Sequence, residues 1–268
     1  MTDPIGSVSG GMIDMESNTT LVQCYPAHQV VPAGEGPFPP IIVLHDRFGL
    51  APYIKNLANR LAHAGFYAIA PDFYAAPSSA AAVAPEYLMP TRSSAFDFSE
   101  ETAACERAAL LGDDRATAIV EQAIGYVAGR SKARTGGPGL LGFGTGGRLA
   151  FLSACLFPDV VRGAVCFYPV DLDVSHPAGQ PSPIDLADSI AAPLLLFYGK
   201  LDSEIRSGER ENATDRLTKL GKDLSTEVFP GAGHDFFCSE RDSYRIRASK
   251  VAWDQTVAFF HRQLDGVG

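Results

Sequence analysis

The stretch GLLGFGTGGRLAFLSACLFP, residues 139–158, carries an apolar strand pattern into a run of glycines and then into a helix pattern. Taken as G-x-G-x-x-G, with Gly142, Gly144 and Gly147, it matches the turn that cradles a dinucleotide pyrophosphate. Taken as G-x-Nuc-x-G, it matches the sharp strand-to-helix elbow that lifts a hydrolase nucleophile above a sheet. The nucleophile position is then Gly144, which has no side chain.

Outward from this stretch, strand and helix patterns alternate. PPIIVLHD (39–46), FYAIAPDFY (66–74), 139–143, GAVCFY (163–168), PLLLFYG (193–199) and STEVF (225–229) read as strands, several of them apolar throughout, as strands covered on both faces are. APYIKNLANRLAHAGF puts Ile54, Leu57, Ala58, Leu61 and Ala62 on one helical face, with Pro52 in the first turn and Gly65 past the end. GDDRATAIVEQAIGYVAG predicts a second helix capped by Asp113 or Asp114. The helix from Thr145 is apolar nearly all round and stops at Pro158, and a last helix is expected over 241–264. GGMIDM and TTLVQCYP are expected to add antiparallel edge strands. This order predicts a mostly parallel, doubly wound sheet with helices on both faces, in one domain over 1–268. Residues 75–112, opening AAPSSAAAVAP, break the rhythm and are expected to form a lid over the cleft.

Composition narrows the function. The 268 residues are 46% hydrophobic and 20% charged, an ordinary globular mixture with room for a sizeable core. A formal net charge of −9 argues against nucleic acid or an anionic membrane as partner. MTDPIGSVSGG has no basic n-region or apolar h-region, and the longest apolar runs fall short of the roughly 20 residues that span a membrane. The five cysteines (Cys24, Cys105, Cys155, Cys166, Cys238) show no C-x-x-C spacing, so neither a disulfide framework nor a zinc site is expected. The resulting expectation is a cytoplasmic protein with reduced thiols, monomeric or homodimeric, acting on a small molecule.

Two features choose between the turns. A dinucleotide site asks for an acid about 20 residues past the fingerprint, and Asp171 and Asp173 lie near there. However, that fingerprint belongs in the first βαβ unit, and here about two strand–helix units precede it. The elbow makes a longer prediction, since an α/β-hydrolase runs in chain order nucleophile, acid, histidine. Asp202 follows the strand LLLFYG, and His234 follows the last strand in a Gly-rich turn. Gly144, Asp202 and His234 thus fall, in order, after three strands at the edge where open α/β sheets build their sites. The elbow is the better reading, and it implies no nicotinamide or flavin, no metal and no other cofactor.

The motifs VLHDRFGL (43–50), GFYAIAPDFYA (65–75), GFGTGGRLAF (142–151), FYGKLDSEI (197–205) and PGAGHDFF (230–237) resemble the dienelactone hydrolase family over nearly the whole chain. The resemblance implies an α/β-hydrolase fold and a Cys-His-Asp triad hydrolysing esters or lactones without a cofactor. It assigns Asp202 as the acid, His234 as the base, and the backbone N–H groups of Thr145 and Arg47 as the oxyanion hole. Asp46 stands where the family has a glutamate that contacts the resting nucleophile. The departures are as informative. The family's cysteine is Gly144, and its carboxylate-binding arginines are replaced by Ala76 and Cys238, so dienelactone is not the expected substrate.

Among other residues, His45 is expected to bond the strand end, Tyr168 and Phe236 to shape the pocket wall, and Cys238 to line the pocket. Thr145, Cys238 and Ser203 are poor substitute nucleophiles. Three functions compete: a hydrolase of small esters or lactones, a cofactor-free lyase, isomerase or cyclase using His234 and Asp202 as a general base, and a catalytically silent binding protein.

Overall fold

The computed structural model describes residues 8–15, 25–75, 101–176 and 178–266. Eight strands form a single mixed sheet: β1 (Val8–Met15), β2 (Tyr25–Pro32), β3 (Pro40–Leu44), β4 (Tyr67–Pro71), β5 (Gly139–Phe143), β6 (Gly163–Phe167), β7 (Leu194–Gly199) and β8 (Leu224–Phe229). Their spatial order is β1-β2-β4-β3-β5-β6-β7-β8. β1 pairs with β2, and β2 with β4, antiparallel; every other pairing is parallel. This is the α/β-hydrolase fold.

The central strands β3 to β7 are buried at every residue, which is why they read as continuous apolar runs and not as alternating ones. β8, at the edge, is only partly buried. The helices are α1 (Pro52–His63), α2 (Glu101–Ala128), α3 (Thr145–Leu156), α4 (Ser207–Lys219) and α5 (Ile246–Leu264). α1 buries the face expected of it, Ile54, Leu57, Ala58, Leu61 and Ala62 with Tyr53. α3 buries ten of its residues, Gly146 to Cys155, and is the central helix.

Several boundaries differ from expectation. The second helix is preceded by a helical piece that was not expected: α2 joins two helices, from Glu101 and from Asp113, across a break at Gly112 (φ 66°, ψ 159°), so the expected start at Asp113 or Asp114 holds for the second of them. Glycine takes that conformation without a Cβ penalty, so the break falls there and the two pieces stay nearly continuous. Residues 101–112 of the expected lid are therefore helical, and 76–100 lie outside the described residues. The last helix starts at Ile246, not 241, because residues 235–245 fold into turns fixed by Cys238 N–H to Asp235 O and Arg245 N–H to Phe236 O. The second edge strand is described over Tyr25–Pro32, which takes in the end of TTLVQCYP; residues 19–24 of that motif lie outside the described residues. α4 was not expected; of its described residues only Glu209, Ala213 and Leu217 are buried, so it carries almost no apolar period to detect.

Candidate active site

At the carboxyl end of β5 the chain turns at Gly144 (φ 52°, ψ −114°) straight into α3. Gly144 N–H donates to Phe167 O at 3.0 Å, and its own carbonyl accepts the Arg148 N–H at 3.0 Å, closing the first helical turn. The left-handed φ at this tip is one an L side chain occupies only under strain. A Cβ placed on Gly144 would lie 3.7 Å from His234 Nε2 and 3.7 Å from Asp46 Cβ, in ordinary contact with both. Gly146 has a different reason: a Cβ there would meet Leu44 O at 2.2 Å, so its bareness lets α3 press onto the end of β3.

The turns after β7 and β8 bring Asp202 and His234 together. His234 Nδ1 lies 2.8 Å from Asp202 Oδ2, with both side chains buried. Asp202 Oδ1 accepts the N–H groups of Glu204 (2.9 Å) and Ile205 (3.0 Å), which fixes the carboxylate. Burial works to raise the Asp202 carboxyl, but the hydrogen bond and charge of His234 and those two N–H groups hold it below the ordinary range. Burial likewise depresses the His234 imidazole, yet the Asp202 hydrogen bond and the charges of Asp235, Asp202 and Glu204 leave it above its usual value. With Nδ1–H donated to Asp202, the lone pair is on Nε2. Nε2 is buried and has no hydrogen-bond partner among the described residues. It lies 3.7 Å from where a Cβ on Gly144 would stand.

Acidic groups crowd this imidazole. Glu204 Oε2 is 3.6 Å from Nε2 and Asp235 Oδ1 is 3.7 Å from it. Arg47 holds Glu204 in a two-point bridge (2.6 and 2.8 Å) and reaches Glu101, at the start of α2, at 2.6 Å. Arg241 holds Asp235 at 2.6 Å. Asp235 itself sits at φ 55°, a conformation aspartate tolerates better than most residues. Asp46 accepts the Phe48 N–H (2.9 Å) and the Tyr53 hydroxyl. Its burial, with the nearby Asp235 charge, pushes its carboxyl up to about 7.

Beside this cluster opens a cavity of about 280 Å³, near the lower end of the roughly 300–1,000 Å³ common for ligand pockets. Thr145, Arg47 and Glu204 face it from the cluster, and Ala108, Leu111 and Ala116 of α2 cover it. His45 also lines it; its Nδ1 lies 2.8 Å from Asp46 O and its Nε2 accepts the Phe73 N–H at 3.1 Å, as a strand-end hydrogen bonder does. Three expected wall residues are placed differently. Tyr168, Phe236 and Cys238 are fully buried and absent from the described lining. Tyr168 packs on the His234 ring from below (centroids 4.8 Å apart) and Phe236 packs on Tyr168. Burial pushes the Cys238 thiol up to about 12, so it is a protonated core group. Ser203 is exposed, and Ala76 lies outside the described residues.

The Dienelactone hydrolase family model matches residues 26–264. The chain belongs to the dienelactone hydrolase family. A "Putative carboxymethylenebutenolidase" of Methylorubrum extorquens is 28% identical over 97% of this chain and 83% of its own length. A "Probable 2-oxo-3-(5-oxofuran-2-ylidene)propanoate lactonase" of Bradyrhizobium is 30% identical over 95% and 94%. Among solved structures, the "Putative Dienelactone Hydrolase" of Klebsiella pneumoniae superposes with a TM-score of 0.79 at 25% identity, covering 95% of this chain and 98% of that one. The chain is thus a dienelactone-hydrolase-like hydrolase of small substrates. No helix among the described residues is long and apolar enough to cross a membrane.

Within this family member, sequence reasoning had missed the residues that surround the imidazole. Glu204, Asp235, Tyr53 and Arg241 were not singled out. Their signal was proximity: Glu204 follows Asp202 by two residues and Asp235 follows His234 by one, so any turn that positions the pair also aims these acids near it.

Proposed function

We propose that the protein hydrolyses a small, uncharged ester or lactone with water as the nucleophile, Gly144 standing where the family carries a cysteine. One observation carries the reading. His234 Nε2 is buried, lacks a hydrogen-bond partner among the described residues, and lies 3.7 Å from where a Cβ on Gly144 would stand. A water there lies within reach of a base already oriented by Asp202.

In the proposed reaction, His234 Nε2 takes a proton from that water as its oxygen adds to the carbonyl carbon. The carbonyl oxygen becomes an oxyanion facing the N–H groups of Thr145 and Arg47. Thr145, first in α3, has no carbonyl one turn earlier to bond, and its N–H lies at the positive end of the helix dipole. Collapse of the adduct expels an alkoxide, which takes the proton back from Nε2, leaving a carboxylic acid and an alcohol, or a hydroxy acid from a lactone. Such base and oxyanion contributions are worth roughly 10²–10⁴-fold each. The Bradyrhizobium relative's name supports a lactone. Cys238 and Ala76 at the family's arginine positions support a substrate without a carboxylate.

The test restores the missing atom. Gly144→Cys puts a thiol beside His234 Nε2, with about 1–2 kcal/mol of backbone strain as its cost. Hydrolysis of p-nitrophenyl acetate by this variant is expected to exceed that of the parent by at least about 10²-fold and to vanish on adding His234→Ala. The parent's slower hydrolysis of small lactones is expected to fall to background in His234→Ala. A parent rate indifferent to His234, or a folded Cys variant with no gain, overturns the reading.

A further inference from the structure

We infer that His234 Nε2, Glu204 Oε2 and Asp235 Oδ1 form a binding site for one first-row divalent cation, Zn²⁺ or Mn²⁺, beside the Gly144 turn. The three ligand atoms lie within 4.8 Å of one another, and the two distances from Nε2 are 3.6 and 3.7 Å. A tetrahedral ion with bonds of about 2.0–2.2 Å holds its ligands roughly 3.3–3.5 Å apart, so small side-chain rotations close the set. Every chemical requirement of such a site is present. The imidazole nitrogen is buried and has no hydrogen-bond partner among the described residues. Its other nitrogen is held by Asp202 at 2.8 Å, the carboxylate–histidine arrangement that fixes the tautomer and raises ligand basicity at metal centres. The two carboxylates are themselves held from outside, Glu204 by Arg47 and Asp235 by Arg241.

Charge points the same way. Asp202, Glu204 and Asp235 lie 2.8, 3.6 and 3.7 Å from the imidazole nitrogens, and Arg47 and Arg241 are guanidinium groups bonded to this cluster, with Arg47 shared with Glu101. A divalent cation neutralises the remainder without moving a side chain far. One imidazole and two carboxylates suit Zn²⁺ or Mn²⁺ better than Mg²⁺ or Ca²⁺, which prefer all-oxygen shells. Open coordination positions face Gly144, where a nucleophilic side chain would otherwise stand. A water bound to the ion is acidified by it; because the ion takes the Nε2 lone pair, the metal-bound form and the general-base form of the proposed reaction are alternative states of the site. The binding site does not depend on that reaction.

The experiment is a calorimetric titration of EDTA-dialysed full-length protein with Zn²⁺, with Mg²⁺ as comparison, and a Co²⁺ absorption spectrum as a second readout. One equivalent of Zn²⁺ is expected to bind, and Mg²⁺ much more weakly. Glu204→Gln and Asp235→Asn are each expected to weaken Zn²⁺ at least tenfold, and Asp202→Asn by about 10–100-fold through loss of the outer partner. Because these variants remove ion pairs, the parent protein supplies a fold-independent check. Its Co²⁺ spectrum should show intense four- or five-coordinate bands that Zn²⁺ displaces. Absence of one-to-one binding overturns the site. So does unchanged binding in His234→Ala, which would place the ion elsewhere, for example at the exposed His261–Asp265 pair. Full His234-dependent hydrolysis by stripped protein that binds no Zn²⁺ refutes the metal site and leaves the water mechanism standing. Stoichiometric binding with no hydrolysis in either form does the reverse.

Discussion

At Gly144 the strand-to-helix turn has a left-handed φ and no side chain, so in the proposed reaction the chemistry of the residue scale passes to His234. As a base, His234 works only when neutral, and its neighbours oppose that state. Burial favours the neutral ring, but the Asp202 hydrogen bond and the charges of Asp235, Asp202 and Glu204 outweigh it and raise the pKa above 6.5. The sign follows for both activity and stability. Stabilisation from the protonated ring is fully present below pH 6.5 and is lost as pH rises through the raised folded value. The proposed hydrolysis is expected to run oppositely, absent at low pH and growing through that same midpoint. In metal-stripped protein, kcat/KM is therefore expected to climb with a midpoint above 6.5. Asp235→Asn, by deleting one of the raising charges, is expected to shift the midpoint downward. A flat pH–rate profile between about 6 and 9, or a midpoint below that of free imidazole, is incompatible with this assignment.

At the scale of elements, the close approach of α3 to β3 sets the elbow's position. Gly146→Ala would place a methyl 2.2 Å from Leu44 O and 2.4 Å from His45 O, both main-chain atoms that cannot rotate away. Overpacking usually costs about 1–3 kcal/mol, and a backbone obstruction belongs at the upper end. Urea unfolding of Gly146→Ala is expected to show a loss near 3 kcal/mol with an unchanged slope; a loss under about 0.5 kcal/mol would mean α3 does not depend on that contact. The glycines that made residues 142–147 ambiguous thus have separate duties, one for the turn and others for helix packing. Elements with a buried face were legible because burial writes a period into the sequence: the all-apolar β3, β5 and β7, and the stripe of α1. α4 was illegible for the converse reason, since a mostly polar helix lying on the surface leaves only Ala213 and Leu217 as apolar anchors. The pairing of Asp202 with His234 was legible from chain order. Glu204 and Asp235 were not, because an acid in a loop ordinarily signals solvent and only the folded turns bring these two, Glu204 exposed and Asp235 buried, beside an imidazole.

Across the whole molecule, one buried cation joins the parts that enclose the cavity. Arg148, on α3 and only 4% exposed, bonds Asp113 of α2 at 2.6 and 3.1 Å and also donates to the carbonyls of Val174 (2.8 Å) and Asp171 in the loop after β6. Arg148, Asp113 and Asp171 all line the cavity, so the pair holds its roof to its floor. Asp113 follows the break at Gly112, and the segment of α2 before the break supplies Ala108 and Leu111 to the roof. Removing the acid alone leaves a guanidinium with two carbonyls and no counter-charge in a water-poor site. Such a broken pair costs about 3–5 kcal/mol, far more than an exposed bridge. Asp113→Ala is therefore expected to lower stability by at least about 3 kcal/mol and to raise KM, as the roof loosens, more than it lowers kcat. If the penalty comes from the stranded charge, the double variant Asp113→Ala/Arg148→Met must recover part of it, since an apolar side chain of similar length needs no partner. A double variant less stable than either single would show that Arg148 acts through its carbonyl bonds and not through Asp113. A single variant within about 1 kcal/mol of the parent would place the roof's anchorage in the Arg47–Glu101 bridge instead.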